Sequence, residues 1–254
     1  MRIVIITQDE PFYLAQNLRY LLKILPKHSI VVGCVVNDAS PFGKKETFFE
    51  KINKTYNIFG LHFFLHYALK YLNSNFNSSK KVDYVLNTNN IPKIVLSKNI
   101  NHIDSVSEIK TYKPDLLVSI LGNQIFKKQI IELAPKGCIN LHTALLPKYR
   151  GLMPTFWVLK NNEKYTGVSV FFVDEGIDSG PIIVQEKVEI GNRTQEELIY
   201  HTKKIGMECI SRAIDFIEKD QVELIENNVD EKTYFTFPTK LDVVAFRSNG
   251  KKFF

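Results

Sequence analysis

The sequence predicts an α/β fold in which a Rossmann-like, mostly parallel sheet is flanked by helices and carries a small C-terminal strand or hairpin appendage. Two observations predict this fold. The candidate strands, such as Arg2–Thr7 and Ser29–Val36, are continuous apolar runs of the kind found in buried parallel strands. A stripe of leucines between Leu14 and Leu25 follows the first strand. This strand-then-helix order is typical of a parallel sheet.

The N-terminal units lack the motif that would make them a dinucleotide site. Asp9 and Glu10 mark the start of the first helix, and Pro26 ends it. The second strand runs into a turn at residues 37–41. Because neither strand is followed by Gly-x-Gly-x-x-Gly, the Rossmann-like order does not indicate NAD binding.

Residues 44–76 are rich in Phe, Tyr, Leu and Lys and predict two helices. His62 and His66 lie four positions apart, which is the spacing of zinc-binding helices. The glutamate that such helices carry after the first histidine is replaced by Phe63. We therefore interpret this segment as an amphipathic packing helix and expect no metal site.

The rest of the chain continues the alternation of strands and helices. The predicted strands are Val82–Leu86, Ile94–Leu96, Asp115–Leu121, one that ends at His142, Gly167–Val173, and a half-exposed edge strand at Ile182–Ile190. The predicted helices are Asp104–Tyr112, capped by Asp104, then Lys127–Leu133, then Pro154–Leu159, which turns Trp157 inward, and one from the capping box Thr194–Glu197 to about Lys219. We expect one catalytic domain at residues 1–219. Residues 220–254 should form an appendage that is part of the acceptor site or of a dimer interface.

Composition limits the class of protein. The 254 residues carry a formal net charge of +6, and the lysines are scattered in pairs rather than clustered. This pattern favours a solvated surface over a nucleic-acid stripe and also suits a phosphate-bearing small molecule. The three cysteines are widely spaced, and neither a cleavable signal nor a long apolar span is visible. We expect a cytoplasmic protein with reduced cysteines and no membrane contact.

The stretch Cys138–His142 is the first part of a candidate site. Asn140 and His142 are two positions apart, so on a strand their side chains point to the same side. Pro and Gly in the following stretch Leu145–Gly151 force a loop at the strand end, where open α/β sheets bind ligands. Asp178 lies in a second loop after the strand Gly167–Val173. We expect these three side chains to converge on one crevice.

An amide, an imidazole and a carboxylate suit direct transfer of an acyl group to an amine. The hydroxyls beside His142 belong to Thr143 and Tyr149, and neither is in a nucleophile-elbow setting, which argues against a covalent acyl-enzyme. An amide N–H and an imidazolium stabilise a tetrahedral oxyanion, and a carboxylate supports the imidazolium and accepts a proton. Taken one at a time, Asn140 also fits a residue that caps a turn, His142 fits a hydrogen-bonded core histidine, and Asp178 fits an acidic residue of a turn.

The motifs Asn140–Gly151 and Asp174–Pro181 resemble the signature of formyltransferases that use 10-formyltetrahydrofolate. The resemblance is specific around residues 115–190, and it departs at Thr143-Ala144, where the family often has Pro-Ser. It implies that Asn140, His142 and Asp178 are the catalytic trio. The residues that it implies hold the folate are Gly122, Asn123, Gln124, Ile125, Phe126, Val173, Asp174, Glu175, Gly176 and Ile177.

Within that family, the tail with Tyr234–Pro238 is similar to enzymes that formylate amino sugars on nucleoside diphosphates and typically dimerise. The resemblance implies a homodimeric N-formyltransferase that acts on a dTDP- or GDP-linked amino sugar for surface polysaccharide (lipopolysaccharide) synthesis, without nucleic acid. The alternatives are another amine, such as glycinamide ribonucleotide or an amino acid, and a non-catalytic folate or nucleotide-sugar binding module. The absence of a basic C-terminal domain disfavours an RNA-binding protein.

Overall fold

The structure is a computed structural model and describes residues 1–38, 47–122 and 124–254. The strands are β1 (Arg2–Gln8), β2 (Ile30–Asn37), β3 (Lys93–Ile94), β4 (Leu116–Ser119), β5 (Cys138–His142), β6 (Arg150–Gly151), β7 (Tyr165–Phe172), β8 (Ile182–Glu189) and β9 (Tyr234–Phe235). The helices are α1 (Leu14–Ile24), α2 (Phe48–Phe59), α3 (Leu61–Phe76), α4 (Val82–Thr88), α5 (Ile103–Thr111), α6 (Lys128–Ile131), α7 (Pro154–Lys160), α8 (Gln195–Glu218) and α9 (Lys240–Ser248).

The main sheet confirms the predicted α/β, mostly parallel fold. In the described part of the chain it has seven strands in the order β3-β2-β1-β4-β5-β7-β8. Strands β1 to β5 pair in parallel, whereas β7 and β8 are antiparallel to their neighbours. The chain moves outward from β1 to β3 and then returns to place β4 on the other side of β1. A crevice therefore opens beyond the carboxyl ends of β1 and β4, where ligands bind in open α/β sheets.

Helices cover both faces of the sheet. On β1, Ile3 and Ile5 face a core cluster with α1, α4 and α8, while Val4 and Ile6 face a second cluster with α5 and α6. This alternation follows from the period of two along a strand. With both faces buried, the central strands are continuously apolar in sequence.

Two sequence predictions are wrong in detail. The segment Val82–Leu86 is part of helix α4, not a strand. Its buried residues Val82, Val85 and Leu86 recur at i, i+3 and i+4, the helical period, which a short apolar run does not distinguish from a strand. Helix α5 is capped by His102, whose side chain accepts the N–H of Asp104, so Asp104 lies in the first turn rather than at the cap.

Residues 220–254 pack onto the rest of the structure through aromatic rings. Strand β9 pairs in parallel with β6, and helix α9, which the sequence did not predict, follows it. Phe246 of α9 stacks on Phe156 of α7 at 5.0 Å between ring centroids and on Phe253 at 4.5 Å. This aromatic cluster also takes in Phe59 of α2 and Phe63 of α3. The C-terminal segment therefore shares a core with helices α2, α3 and α7.

Helices α2 and α3 occupy the region predicted as two helices. Residues 39–46, which include part of the predicted turn at 37–41 and the start of the 44–76 region, lie outside the described residues. His66 of α3 is hydrogen-bonded to Glu196, with 2.9 Å from Nε2 to Oε2, and its ring stacks on Phe254. Among the described residues, no cluster of histidine, cysteine or acidic side chains could hold a metal ion. None of the described helices has the length and apolar character needed to cross a bilayer.

Candidate active site

A cavity of about 380 Å³ lies in the crevice at the carboxyl ends of β1, β4 and β5. The side chains of Asn140, His142 and Asp178 all line it. Asn140 and His142 both lie on β5. Because they are two positions apart, their side chains face the same cavity, as expected from the sequence. Asp178 comes from the loop between β7 and β8. The structure therefore brings the three predicted residues together.

One ring nitrogen of His142 is hydrogen-bonded to the backbone, and the other faces the cavity. The residue is 7% exposed, and Nε2 lies 2.7 Å from the carbonyl oxygen of Tyr149. Because a carbonyl only accepts, Nε2 carries a proton. The other nitrogen, Nδ1, faces the Asp178 carboxylate with 3.6 Å to Oδ2. That distance is beyond a hydrogen bond, so Nδ1 remains able to interact with a ligand or water in the cavity.

The carboxylate of Asp178 is held by the loop that follows β5. Its Oδ2 accepts the backbone N–H of Gly151 at 2.9 Å. Asp178 adopts a left-handed backbone with φ 49°, a conformation that Asp tolerates better than most residues. Gly151 also has a positive φ, and a Cβ there would lie 2.3 Å from the carbonyl oxygen of Phe235. Only glycine lets strand β9 approach this closely.

Asn140 carries a buried amide oxygen that lacks a protein partner. Its Oδ1 has no hydrogen bond to any described residue, although the side chain lines the cavity. Leaving a buried polar group unpaired costs about 1–3 kcal/mol. The oxygen itself is closed to solvent, so a molecule in the cavity would meet the rest of the Asn140 side chain first.

Two loops supply part of the remaining cavity wall. Of the ten residues that the resemblance assigned to folate, eight line the cavity, namely Gly122, Gln124, Ile125, Phe126, Val173, Asp174, Gly176 and Ile177. Asn123 lies outside the described residues. Glu175 is exposed and is not part of the described cavity wall.

Both loops are braced by side-chain hydrogen bonds. Asn101 donates to the carbonyl of Ile125 at 2.8 Å, and its Oδ1 accepts the N–H of Lys127 at 2.7 Å. Asp174 accepts from Ser179 Oγ at 2.6 Å and from the N–H of Gly176 at 3.0 Å. These bonds hold backbone groups in place at the rim of the cavity. The bracing by Asn101 was not predicted, because the two segments it joins are far apart in the chain.

Comparison with known proteins decides the family. Residues 75–214, more than half of the chain, match the family model described as Formyl transferase. The chain belongs to the formyl transferase family. Over 152 residues it is 40% identical to the methionyl-tRNA formyltransferase of Alkaliphilus oremlandii (strain OhILAs), covering 59% of this chain and 49% of that protein. Over 163 residues it is 34% identical to that of Kosmotoga olearia, covering 62% and 51%. The chain thus spans about half the length of these curated relatives.

Solved formyltransferase structures share the fold at low identity. A phosphoribosylglycinamide formyltransferase from Anaplasma phagocytophilum matches with a TM-score of 0.63 at 17% identity, covering 94% of this chain and 99% of that one. A sugar N-formyltransferase from Shewanella sp. FDAARGOS_354 matches with a TM-score of 0.60 at 15% identity, covering 97% of this chain and 87% of that one. An N-formyltransferase from Helicobacter canadensis, in complex with folinic acid and dTDP-3-aminofucose, matches with a TM-score of 0.57 at 19% identity. The match covers 92% of this chain and 70% of that one.

A lysine that the sequence did not single out lies in the cavity of this family member. Lys203 of α8 lines the cavity together with Met207 of the same helix and Leu14 of α1. Burial lowers the pKa of Lys203 to about 8, an effect that the nearby Glu10 carboxylate opposes. A cation at this position complements an anionic ligand. The sequence shows it only as half of the pair Lys203-Lys204, without a sign that it faces inward.

The C-terminal segment supplies a second group that the sequence missed. Asn227 is 7% exposed and donates its amide to the carbonyl oxygens of Asp178 and Gly180, both at 2.9 Å. Its own Oδ1 accepts from the guanidinium of Arg150 at 2.8 Å. Burial lowers the pKa of Arg150, and the Asp178 and Asp174 carboxylates oppose that shift. These contacts join the Asp178 loop to the loop after β5.

Proposed function

We propose that the protein is an N-formyltransferase that moves a formyl group from 10-formyltetrahydrofolate to the amine of a dTDP- or GDP-linked amino sugar for surface polysaccharide synthesis. The observation that carries the proposal is the convergence of Asn140, His142 and Asp178 on one cavity that residues of the two loops assigned to folate also line. Membership of the formyl transferase family supports the same chemistry.

In the proposed reaction, the acceptor amine attacks the formyl carbon and forms the new C–N bond while the carbonyl oxygen becomes an oxyanion. The amide of Asn140 and the imidazolium of His142 stabilise that oxyanion. Asp178 supports the imidazolium from 3.6 Å and accepts the proton that the amine loses, directly or through water. The bond between the formyl carbon and the folate nitrogen then breaks, and that nitrogen takes up the proton.

A second cavity supports a nucleotide-linked acceptor. It measures about 970 Å³ and lies beside the first, next to the segment that links β1 to α1. Its wall includes the aromatic rings of Phe12, Tyr67 and Tyr71. The charged residues in the wall are Lys51, Lys80, Lys81, Asp9, Asp38 and Asp83. Aromatic rings stack on nucleobases, and lysines neutralise phosphates.

We propose that residues 1–219 form the catalytic domain and that residues 220–254 complete its acceptor side. The support is the contact between Asn227 and the Asp178 loop and the stacking of Phe235 on Tyr149, with 5.2 Å between ring centroids. Both contacts lie next to the loop that holds Asp178. In this arrangement the segment positions catalytic groups and does not act as a separate module.

Methionyl-tRNA is the second candidate acceptor. The observation in its favour is the identity of 40% and 34% to methionyl-tRNA formyltransferases. The net charge of +6 suits an RNA as well as a nucleotide sugar. The matched region covers about half of those relatives, so it reports on the formyl-transfer chemistry that both acceptors share.

The test is a side-by-side acceptor assay. The protein is incubated with 10-formyltetrahydrofolate and, separately, with dTDP- and GDP-linked 3-amino and 4-amino sugars, glycinamide ribonucleotide and methionyl-tRNA, and formylated products are detected by mass spectrometry. We expect formylation of a nucleotide-linked sugar. Formylation of methionyl-tRNA or glycinamide ribonucleotide without any formylated sugar would overturn the acceptor assignment. Folate binding without transfer to any acceptor would overturn the catalytic proposal.

A further inference from the structure

Tyr149 has an unusual backbone conformation directly beside His142. It lies in the loop between β5 and β6, and its φ is 60°, in the left-handed region. An aromatic residue rarely adopts this conformation, because its Cβ comes too close to the carbonyl oxygen that follows. Such residues persist only where the surrounding contacts fix them. The carbonyl of Tyr149 is the group that accepts Nε2–H of His142 at 2.7 Å, so the conformation of this residue determines how that carbonyl is aimed.

Thr233 of the C-terminal segment holds Tyr149 by two bonds. Its Oγ1 accepts the backbone N–H of Tyr149 at 2.8 Å, and its carbonyl oxygen accepts the N–H of Arg150 at 2.9 Å. The N–H of Arg150 and the carbonyl of Tyr149 belong to the same planar peptide group and point in opposite directions. Thr233 therefore fixes this peptide from one side, and His142 meets its carbonyl on the other.

The side chain of Tyr149 is anchored away from the cavity. Its hydroxyl donates to Oε1 of Glu163 at 2.6 Å and accepts from the amide of Asn161 at 3.2 Å, and its ring stacks on Phe235. Burial, together with the hydrogen bond to Glu163, raises the pKa of the Tyr149 hydroxyl to about 12, so it stays a donor at neutral pH. The residue is not part of the described cavity wall, so its effect on the site passes through its backbone carbonyl.

The Tyr149 carbonyl determines which ring nitrogen of His142 exchanges a proton. Because a carbonyl oxygen only accepts, Nε2 keeps its proton in both the neutral and the charged imidazole. Gain and loss of a proton are then confined to Nδ1, which lies 3.6 Å from Oδ2 of Asp178. With the carbonyl turned away, nothing would keep the proton on Nε2 in the neutral ring, and Nδ1 would lose its role as the exchanging nitrogen.

We propose that Tyr149 and Thr233 are positioning residues, which hold a backbone carbonyl against Nε2 of His142 so that Nδ1 exchanges the proton during formyl transfer. The inference rests on the proposed function for its effect on the reaction, whereas the state of the imidazole is measurable without any substrate. Thr233 immediately precedes β9. The C-terminal segment thus orients the imidazole as well as the loop of Asp178.

The first test observes the ring nitrogens of His142 by NMR, in protein that carries nitrogen-15 in its histidines and without a ligand. His142→Gln assigns the signals, since they disappear in that variant. In the neutral ring of the native protein we expect the proton on Nε2, with slow exchange against water. Thr233→Val keeps the shape of the side chain but removes the acceptor for the Tyr149 N–H, and it should make the Nε2 proton exchange several-fold faster. Thr233→Ser keeps a hydroxyl and should exchange like the native protein.

The second test measures kcat and KM with the acceptor that the side-by-side assay identifies. A misplaced catalytic group slows the reaction more than it weakens binding, so Thr233→Val is expected to lower kcat about tenfold with KM little changed. Thr233→Ser is expected to retain the native kcat. The matched control is Thr236→Val, which changes another exposed threonine of the same segment and should leave both constants unchanged.

A native His142 whose neutral ring carries its proton on Nδ1 would overturn the proposal. So would native exchange of the Nε2 proton in Thr233→Val, or equal effects of Thr233→Val and Thr233→Ser. Circular dichroism verifies the fold of each variant. If Thr233→Val does not fold, Tyr149→Phe decides, because it removes only the hydroxyl bonds of Tyr149 and should also speed exchange; native exchange there would contradict the proposal. Absence of transfer to every acceptor would end the proposed function, while the NMR spectra would still decide the assignment of the ring.

Discussion

The side-chain amide of Asn227 donates to the backbone carbonyl of Asp178 at 2.9 Å, across 49 positions of sequence. Through this bond the C-terminal segment holds the loop that presents the Asp178 carboxylate to His142. The same side chain is tied to Arg150, which precedes the glycine that donates to that carboxylate. One asparagine thus links the two loops that must keep their positions for the proposed reaction.

The first prediction concerns Asn227→Ala. The substitution removes both donors to the loop and leaves the carbonyl oxygens of Asp178 and Gly180 without that partner. We expect a loss of about 1–3 kcal/mol in the free energy of unfolding, measured by urea denaturation, and a lower kcat. The matched control is Asn228→Ala, which removes a bond to the N–H of Asp230 in an exposed turn and leaves the loop untouched. Equal effects of the two substitutions on kcat would contradict a positioning role for Asn227.

The second prediction concerns the proposed catalytic groups. Asp178→Asn keeps the size of the side chain and an acceptor for the N–H of Gly151, but it removes the charge that supports the imidazolium and the base for the amine proton. We expect kcat to fall by roughly a hundredfold to ten-thousandfold, with His142→Gln in the same range. Glu175→Gln is the control, because that exposed carboxylate lies in the same loop but is not part of the described cavity wall. A comparable loss from Glu175→Gln would assign the effect to general loop charge.

The third prediction is a pH dependence from Lys203. Its pKa of about 8 means that the ammonium is mostly charged at pH 7 and is lost as the pH rises through 8. An anionic substrate that contacts it should therefore bind best below pH 8, and its KM should rise between pH 7 and pH 9. In Lys203→Gln, KM should be higher at pH 7 and should lose this rise. Lys204→Gln, an exposed neighbour, should retain the native profile, and a rise that persists in Lys203→Gln would assign the titration to another group.

The fourth prediction compares two glycines with positive φ. Gly151→Ala places a Cβ 2.3 Å from the carbonyl oxygen of Phe235 and 2.8 Å from the ring of Tyr234, so strand β9 must move away from β6. We expect a lower melting temperature and a large loss of activity, because the N–H of Gly151 holds Asp178. Gly191→Ala has φ 58° but ordinary space around it, and it should cost only about 1–2 kcal/mol with activity retained. Equal losses of activity would show that the close approach to β9 is not needed.

Local patterns predicted most of the secondary structure. Continuous apolar runs marked β1, β2, β4 and β5 because both faces of the sheet are covered by helices. The capping box at Thr194 and Glu197 marked the start of α8, where the structure shows both of its hydrogen bonds. The prediction of a strand at Val82–Leu86 was wrong because five residues are too few for the two periods to be told apart. Helix α9 was missed because its exposed side chains Leu241 and Val244 are apolar, so the sequence does not show one distinct apolar face.

The candidate site was predicted only in part. The spacing of Asn140 and His142 gave them a common direction, and the loop that follows the strand Gly167–Val173 indicated Asp178. The family resemblance then assigned catalytic roles to the same three residues. Lys203 and Asn227 were not predicted because each enters the site from an element whose packing is set elsewhere. Lys203 depends on how α8 lies across β5, and Asn227 depends on the pairing of β9 with β6.

The sequence by itself determined the alternation of strands and helices and the shared orientation of Asn140 and His142. Both depend on the repeat of apolar side chains along the chain, every two residues in a strand and every 3.6 in a helix. Tertiary structure alone decided that β7 runs antiparallel to β5, that Nδ1 of His142 faces Asp178 at 3.6 Å, and that Asn227 braces that loop. The physical reason is that a contact across 36 or 49 positions depends on the packing of all the elements between them, and no local period encodes it.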